Sequence, residues 1–241
     1  KLRKHGIHTM GELARASLTQ EEMLFKEFGI DAEILIDHAW GIEPCRMEDI
    51  KSYRPADKSI CEGQVLSCPY PYEKARLIVQ EMTESLAFRL SDLKMITDSL
   101  TLTVGYDRTN CTTGSYQGEI HIDHYGRSVP KAAHGTIHLD PPTNLGSRLI
   151  DAAVRLYAQI TSPQLLVRRI SIAANRVIED HGIYQLNLFT DMKKLEREKK
   201  LQETILDIKK RFGKNSVLKG TSFLDGATMR ERNGQIGGHK A

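Results

Sequence analysis

The sequence of 241 residues predicts an α+β protein: a helical segment, then a ferredoxin-like β-α-β-β-α-β domain, then a charged helix and a basic tail. Two patterns support this prediction. Apolar residues recur every three or four positions over 72–90 and 145–160, as on one face of a helix. In 96–106, Leu100, Leu102 and Val104 alternate with polar residues, as in a half-buried strand. The order β-α-β-β-α-β predicts a four-stranded antiparallel sheet with both helices on one face.

Residues 1–43 are predicted to be helical and to begin with a helix-hairpin-helix. A glycine is placed to close the first helix in the left-handed conformation. Thr9 and Glu12 have the spacing of a capping box for the next helix. We expect the turn to point backbone N–H groups at a phosphate, and an ordinary helical hairpin would fit equally well. The candidate phosphate contacts are Lys4, Gly6 and Ile7.

Residues 44–57 lose this periodicity and contain Pro44 and Pro55, so we predict a linker there. The α+β domain is predicted to span 58–178. Its predicted strands are 58–66, 96–106, 132–139 and 167–174, and its predicted helices are 72–90 and 145–160. The polar, turn-rich stretch from 107 to 125 has no predicted element.

One face of the predicted sheet is left without helices, so it must meet solvent or a ligand. On the third strand, His134, Thr136 and His138 are predicted to face away from Ile137 and Leu139. Aromatic residues, on which unpaired bases stack, are scarce on this face, and this favours phosphate contacts to a duplex. The candidates on this face or at its edges are Lys58, Ser59, Arg127, Lys131, His134, Arg168 and Arg169.

A short apolar run lies in the predicted region 179–191, outside any obvious core element. Two leucines and a phenylalanine could fill a hydrophobic pocket, and a glutamine amide could set the register. An edge strand, or the start of a helix, that packs in the protein's own core would also explain the run. The residues of this candidate docking peptide are Gln185, Leu186, Asn187, Leu188 and Phe189.

The last segment, 192–241, is basic, with 13 Lys/Arg against 6 Asp/Glu. Residues 192–212 are predicted to form a long charged helix with a thin apolar stripe. Residues 213–241 are rich in glycine and cations, and we expect little fixed structure there when the protein is alone. The charge suggests a polyanion or an acidic partner nearby, although a solvated tail would have the same composition.

Other classes of site find little support in the sequence. No apolar run approaches the roughly 20 residues that a membrane span needs, so no membrane association is predicted. The four cysteines form no CxxC pair, which fits a reducing cytoplasm. There is no P-loop and no GxGxxG. A histidine-rich group has a spacing that matches no structural zinc site, so no metal is predicted there; its members are His121, Asp123, His124, His134 and His138. No cofactor and no catalytic residue are predicted in this chain.

Several stretches resemble the C-terminal half of bacterial Y-family translesion DNA polymerases of the UmuC type. Residues 2–13 resemble the end of the family's thumb, 58–64 the first strand of its little-finger domain, 167–172 the last strand, and 230–239 the end of many members. Gln185–Phe189 resembles the pentapeptide by which bacterial polymerases dock on the sliding clamp. The motifs stand in the family's order along nearly the whole chain.

The resemblance implies primer–template DNA and the sliding clamp as partners, with template phosphates meeting Arg168 and Arg169. A repair or recombination partner of the C-terminal tail is a further possibility. The family's palm, whose carboxylates hold Mg²⁺ for nucleotidyl transfer, has no matching strand here. We therefore expect Mg²⁺ to belong to the full-length parent and this chain to be inactive alone.

Two other functions stay open from the residues alone. One is a ferredoxin-like module that binds RNA or a metabolite, which would need aromatic platforms or a pocket. The other is an adaptor whose sheet is only a scaffold and whose tail recruits a partner.

Overall fold

The computed structural model describes residues 1–53, 58–112, 116–123, 126–182, 191–236 and 239–240. The chain divides into two compact units, 1–56 and 57–241. Among the described residues, no helix has both the length and the apolar character needed to cross a membrane.

The first unit is helical. After a 3-10 turn at Leu2–His5 it contains α1 (Met10–Ser17), α2 (Glu21–Phe28), α3 (Asp31–Ala39) and α4 (Met47–Ser52). α1 begins at the predicted capping box, because the Thr9 hydroxyl accepts the Glu12 N–H and the Glu12 carboxylate accepts the Thr9 N–H. A small core joins α1, α2 and α3, and it is formed by Ile7, Leu13, Ala16, Leu24 and Ala32. α4 lies within the segment 44–57 that is predicted to be a linker.

The second unit contains the predicted β-α-β-β-α-β order. Its elements are β1 (Ile60–Tyr70), α5 (Tyr72–Asp92), β2 (Met95–Tyr106), α6 (Thr109–Thr112), β3 (Ile120–Ile122), β4 (Ser128–Pro130), β5 (Ala133–Thr143), α7 (Gly146–Ile160), β6 (Val167–Asn175), β7 (Ile178–Glu179), α8 (Met192–Phe212), α9 (Met229–Arg232), β8 (Gln235–Ile236) and β9 (His239–Lys240). A further 3-10 turn covers Gly220–Phe223. The predicted α+β class is confirmed.

The main sheet has the strand order β1-β6-β2-β5, all antiparallel, and β7 pairs with the start of β2. β6 lies between β1 and β2, and β2 lies between β5 and β6. Each β-α-β unit is therefore split by a strand of the other. β1 and β5 form the edges of this sheet.

α5 and α7 pack together on one face of the sheet and enclose the core of the second unit. Tyr157 of α7 is fully buried, and its hydroxyl donates to the Tyr72 carbonyl at 2.9 Å. Because burial disfavours the charged phenolate, the pKa of Tyr157 is raised. Among the largest buried side chains here are Met82, Leu86, Leu90, Leu100, Leu102, Leu149 and Ile170. No described helix covers the opposite face of the sheet, which is called the open face below.

The stretch for which we predicted no element, 107–125, contains α6 and the start of the β3–β4 hairpin. Polar contacts fix it: Asp107 accepts from the Thr109 N–H, and the Asn110 amide donates to the Leu166 carbonyl at 2.9 Å. Ile120 and Ile122 are exposed. Apolar periodicity could not reveal these elements because the isoleucines of β3 are exposed and the buried residue of α6 is the polar Asn110.

The expectation that 213–241 has little fixed structure is wrong for its described part. The Glu81 carboxylate, in α5 and 2% exposed, accepts the N–H groups of Thr228 and Met229 at 2.8 and 3.0 Å. Met229 is itself buried, and Arg232 pairs with Glu62. Polar groups of the tail therefore bind carboxylates on β1 and α5 and hold the tail against the second unit's core domain. Amino-acid composition does not reveal such pairs.

Candidate functional site

The open face of the sheet is the surface on which the predicted contact residues were expected. Its side chains come from alternate positions of the four long strands: Cys61, Gly63, Val65, Thr101, Thr103, Gly105, His134, Thr136, His138, Arg169, Ser171, Ala173 and Asn175. His134, Thr136 and His138 are exposed and face away from Ile137 and Leu139, as predicted. Most of these side chains are small or carry a hydroxyl or amide, and these positions include no Phe, Tyr or Trp.

Hydrogen bonds between strands hold the centre of the open face. The Thr101 and Thr136 hydroxyl oxygens lie 2.8 Å apart, and the Asn175 amide donates to the Thr101 oxygen at 2.7 Å. One row further along the strands, the Thr103 hydroxyl lies 2.9 Å from Nδ1 of His134. These contacts fix the side-chain rotamers, so the face is an ordered polar surface before any ligand arrives.

A gap in the polar surface occurs at Gly63 of the edge strand β1. A Cβ built at Gly63 would have no heavy atom within 4 Å, and its cross-strand neighbour is Ser171. A ligand's backbone can therefore approach the sheet closely at this point.

A β-bulge places both arginines of β6 outside the core. Gly105 pairs with Arg169 but Tyr106 pairs with Val167, so Arg168 is an extra residue in the strand. Val167 and Ile170 are three positions apart and both are fully buried. In a regular strand the alternation would direct one of the two arginines toward the helices. The bulge instead gives this end of the open face two cations.

The two arginines differ in their surroundings. The Arg168 side chain is 38% exposed, and its Nε lies 3.8 Å from a carboxylate oxygen of Asp107. That distance is long for a charge-assisted hydrogen bond, so the pair restrains Arg168 only weakly. Arg169 is exposed, and no described residue forms an ion pair with it.

Arg127 and Lys131, two other predicted contacts, lie on the β3–β4 hairpin and its end, and each meets a carboxylate. Arg127 donates from Nε to Asp123 at 2.7 Å. Lys131 donates to Glu119 at 2.7 Å, and this bond raises the pKa of Lys131 and lowers the pKa of Glu119. The carboxylates of Asp123 and Glu119 therefore already offset the charges of these two cations.

Lys58 and Ser59 immediately precede β1, and both are exposed. The Val177 N–H donates to the Lys58 carbonyl at 3.0 Å, which fixes the chain at this edge. The Lys58 and Ser59 side chains stand at the end of the sheet that also carries Asn175.

The turn of the first unit differs from the expectation of free N–H groups. The Gly6 N–H donates to the Arg3 carbonyl, and the Ile7 N–H donates to the Leu2 carbonyl, both at 3.2 Å. Gly6 adopts a φ of 72°, as predicted for a helix end, and Ile7 is buried. These two amides close the turn and are not available to a phosphate in this arrangement. The Lys4 side chain is exposed at the turn.

Arg176 is a candidate that the sequence prediction missed. It follows β6 in the left-handed region, with a φ of 47°, and its side chain is 58% exposed. The guanidinium donates to Asp98 from Nε at 2.9 Å and to Nδ1 of His138 at 3.0 Å. The only sequence signal was a cation directly after the last strand, at the end opposite Arg168 and Arg169.

Among the described residues, no three His, Cys, Asp or Glu side chains form a group that could hold a metal ion. His124, from the histidine-rich group, lies outside the described residues.

The candidate docking peptide, Gln185–Phe189, also lies outside the described residues. The chain on both sides of 183–190 is anchored in the second unit. β7 pairs with Met95 and Ile96 before it, and the Lys199 ammonium of α8 lies 3.1 Å from a carboxylate oxygen of Asp180. Gln202 of α8 accepts the Gly146 N–H at 2.8 Å, which fixes α8 to the start of α7.

Comparison with known proteins bears on this surface. Residues 57–188 match the model of the impB/mucB/samB family C-terminal domain. The chain is 26% identical to "Putative UV-damage repair protein UvrX" of Bacillus subtilis (strain 168), over 100% of this chain and 51% of that protein. It is 26% identical to DNA polymerase IV of Pelotomaculum thermopropionicum (strain DSM 13744 / JCM 10971 / SI), over 98% of this chain and 51% of that protein. The chain thus spans about half the length of the curated relatives it matches.

Proposed function

The chain belongs to the impB/mucB/samB family, whose C-terminal-domain model covers more than half of it, and on that premise we propose that its second unit binds duplex DNA through the open face. This membership confirms the resemblance to UmuC-type Y-family polymerases. The observation that carries the proposal is the bulge in β6, which delivers Arg168 and Arg169 to the end of an ordered polar surface. Cations at a surface edge are suited to the phosphate backbone.

The chemistry of the open face favours a duplex over single-stranded nucleic acid. Proteins that bind single strands stack the bases on aromatic side chains, and the described positions of this face offer none. Its centre offers hydroxyls, amides and the space at Gly63, which suit close approach to a backbone. The same lack of stacking platforms weakens the alternative of an RNA-binding module.

The predicted contacts are expected to contribute unequally. Arg169 has no described ion-pair partner and Arg168 a distant one, so both can neutralise phosphates at little cost. Arg127 and Lys131 would have to leave Asp123 and Glu119. Smaller contributions are also expected from Lys4, Lys58 and Ser59, which are exposed cations and a hydroxyl at the edges of their units. Gly6 and Ile7 contribute only if the turn rearranges.

We further propose that Gln185–Phe189 docks on a bacterial sliding clamp. The support is the pentapeptide pattern together with the anchoring of the chain at Asp180 and along α8 on either side of it. Because the described residues on both sides of the peptide belong to the second unit, clamp binding would raise the local concentration of the DNA-binding surface at a primer end.

The parent activity that this arrangement suits is lesion-bypass DNA synthesis during repair. The names of the relatives, a UV-damage repair protein and a DNA polymerase, support it. Mg²⁺ is implied for such a parent, but no described group of three ligand side chains fits an ion, so we assign no step to a metal on this chain. The ferredoxin-like assignment of the second unit is a proposal that covers only the chain order and the split β-α-β units, since β1 lies at an edge of the sheet. A partner of the tail is a proposal without an assigned surface.

The test of duplex binding compares two double variants by fluorescence anisotropy with a labelled primer–template. Arg168→Ala with Arg169→Ala should lower affinity at least tenfold at about 50 mM salt, and should make the slope of log K against log salt shallower by about 2, since each phosphate contact contributes about 0.9. The matched control, Arg211→Ala with Lys214→Ala, removes two exposed cations of α8 and the following residues. Equal affinity in both variants would refute the role of the open face, and a preference for single-stranded RNA would favour the other module.

A further inference from the structure

Arg176 combines an unusual backbone with a fixed side chain. Its φ of 47° lies in the left-handed region, which residues with a Cβ rarely adopt and which glycine adopts freely. Such residues persist where the surrounding structure holds them, and they concentrate at binding sites. A glycine would fit this turn with less strain, so the arginine side chain itself is the feature to be explained.

The side chain is aimed by two residues of neighbouring strands. Nε donates to Asp98 and one terminal nitrogen donates to Nδ1 of His138, which must be an acceptor because a guanidinium has no lone pair to offer. A guanidinium has five N–H donors in a rigid fork, and these contacts use two. The remaining three have no partner among the described residues. The fork is thus held in place with its outer donors open.

The position of Arg176 complements the bulge. Arg169 and Arg176 are seven residues apart on one strand and its end, which corresponds to about 23 Å at about 3.3 Å per residue. Ser171, Ala173 and Asn175 lie between them on the open face. The open face therefore has a cation at each end and small residues in its centre. A major groove about 12 Å wide, with a phosphate backbone on each side, fits between such ends.

We propose that Arg176 binds a backbone phosphate of the DNA strand opposite to the one met by Arg168 and Arg169, with Asp98 and His138 as positioning residues. The inference deepens the proposed function and rests on it. Two phosphate contacts at opposite ends set the direction in which the sheet crosses the groove. A single cluster would leave that direction free.

The test uses a matched pair of glycine variants. Arg176→Gly and Lys94→Gly each remove one positive charge and one non-glycine residue with positive φ, because Lys94 has a φ of 53° at the α5–β2 turn. With a labelled primer–template, Arg176→Gly should lower affinity about five- to tenfold at about 50 mM salt and make the salt slope shallower by about 0.9. Lys94→Gly should stay within twofold of wild type. Circular dichroism melting is used to check that both variants fold.

A third variant separates charge from orientation. Arg176→Lys keeps the charge but lacks the fork that Asp98 and His138 hold, so its salt slope should match wild type while its affinity falls two- to fivefold. Wild-type affinity in Arg176→Lys would overturn the positioning role. Wild-type affinity and slope in a folded Arg176→Gly, alongside a loss in the Arg168/Arg169 double variant, would overturn the phosphate contact alone. Wild-type affinity in both of these variants would show that the proposed function itself has failed.

Discussion

At the scale of single residues, the functional candidates are distinguished by what their charges already meet. Lys131 bonds Glu119 and Arg127 bonds Asp123, whereas Arg169 has no described ion-pair partner. Residue type alone ranks these cations equally. The structure ranks them by the free energy needed to separate each cation from its present partner. It also adds Arg176, whose left-handed backbone could not be predicted because the residue is not a glycine.

Glu81 offers a prediction at the same scale. Glu81→Ala would leave the N–H groups of the half-buried Thr228 and the buried Met229 without an acceptor, which should lower the free energy of unfolding by about 2 to 4 kcal/mol. Glu81→Gln keeps an acceptor and should lose less. Urea denaturation followed by circular dichroism measures both.

Glu73→Ala is the control for this experiment. The Glu73 side chain is 75% exposed and meets Arg76 at 3.4 Å, so its loss should change stability by less than about 1 kcal/mol. If Glu81→Ala proved as stable as Glu73→Ala, the tail would not be docked on α5 in solution.

At the scale of elements, predictability follows the kind of contact that each element makes. α5, β2 and α7 are long and bury one regular face, so apolar periodicity locates them within a few residues. α6 and the tail from 213 onward make polar contacts with residues distant in the chain, and the β3–β4 hairpin exposes its two isoleucines. No periodic pattern encodes such contacts, so composition alone indicated loops.

The bulge of β6 shows the same limit. The sequence predicts the strand and the buried Val167 and Ile170, but strict alternation cannot place both Arg168 and Arg169 outside the core. Only the cross-strand register with β2 reveals the extra residue. The sequence therefore predicts a strand that carries two cations, but it does not predict the bulge that places both of them outside the core.

A further prediction concerns the docking peptide, because clamp binding by the peptide should be separable from duplex binding by the sheet. Leu188→Ala with Phe189→Ala removes two apolar anchors and should weaken binding to a purified sliding clamp at least thirtyfold. Duplex affinity should stay within twofold of wild type. Surface plasmon resonance on immobilised clamp and anisotropy on free duplex measure the two activities.

A control changes the flank of the peptide and leaves Gln185–Phe189 intact. Thr190→Ala should preserve clamp binding, and Asp191 is kept because its side chain accepts the Lys194 N–H at the start of α8. Joint loss of clamp and duplex binding in the Leu188/Phe189 variant would indicate that these residues belong to the core of the second unit and not to a docking peptide.

At the scale of the whole molecule, the two units have different chemistry. The second unit has a large core, and its sheet keeps one polar face open. The first unit has a small core and exposes large apolar side chains such as Ile30, Ile34 and Ile50. The chain belongs to a protein family, and it spans about half the length of the curated relatives that it matches. DNA contact, clamp docking and parental catalysis are thus separate proposals, and each can fail without the others.

The most direct measurement follows the alkylation of Cys61, which is exposed on the open face, two residues before Gly63 in the edge strand β1. Cys68 is also exposed on β1, near Lys74 at the start of α5, and serves as an internal reference. With saturating primer–template duplex, mass spectrometry should show Cys61 alkylated at least fivefold more slowly, with Cys68 changed less than twofold. An unchanged alkylation rate of Cys61, at a DNA concentration that anisotropy shows to be saturating, would contradict duplex binding through the open face.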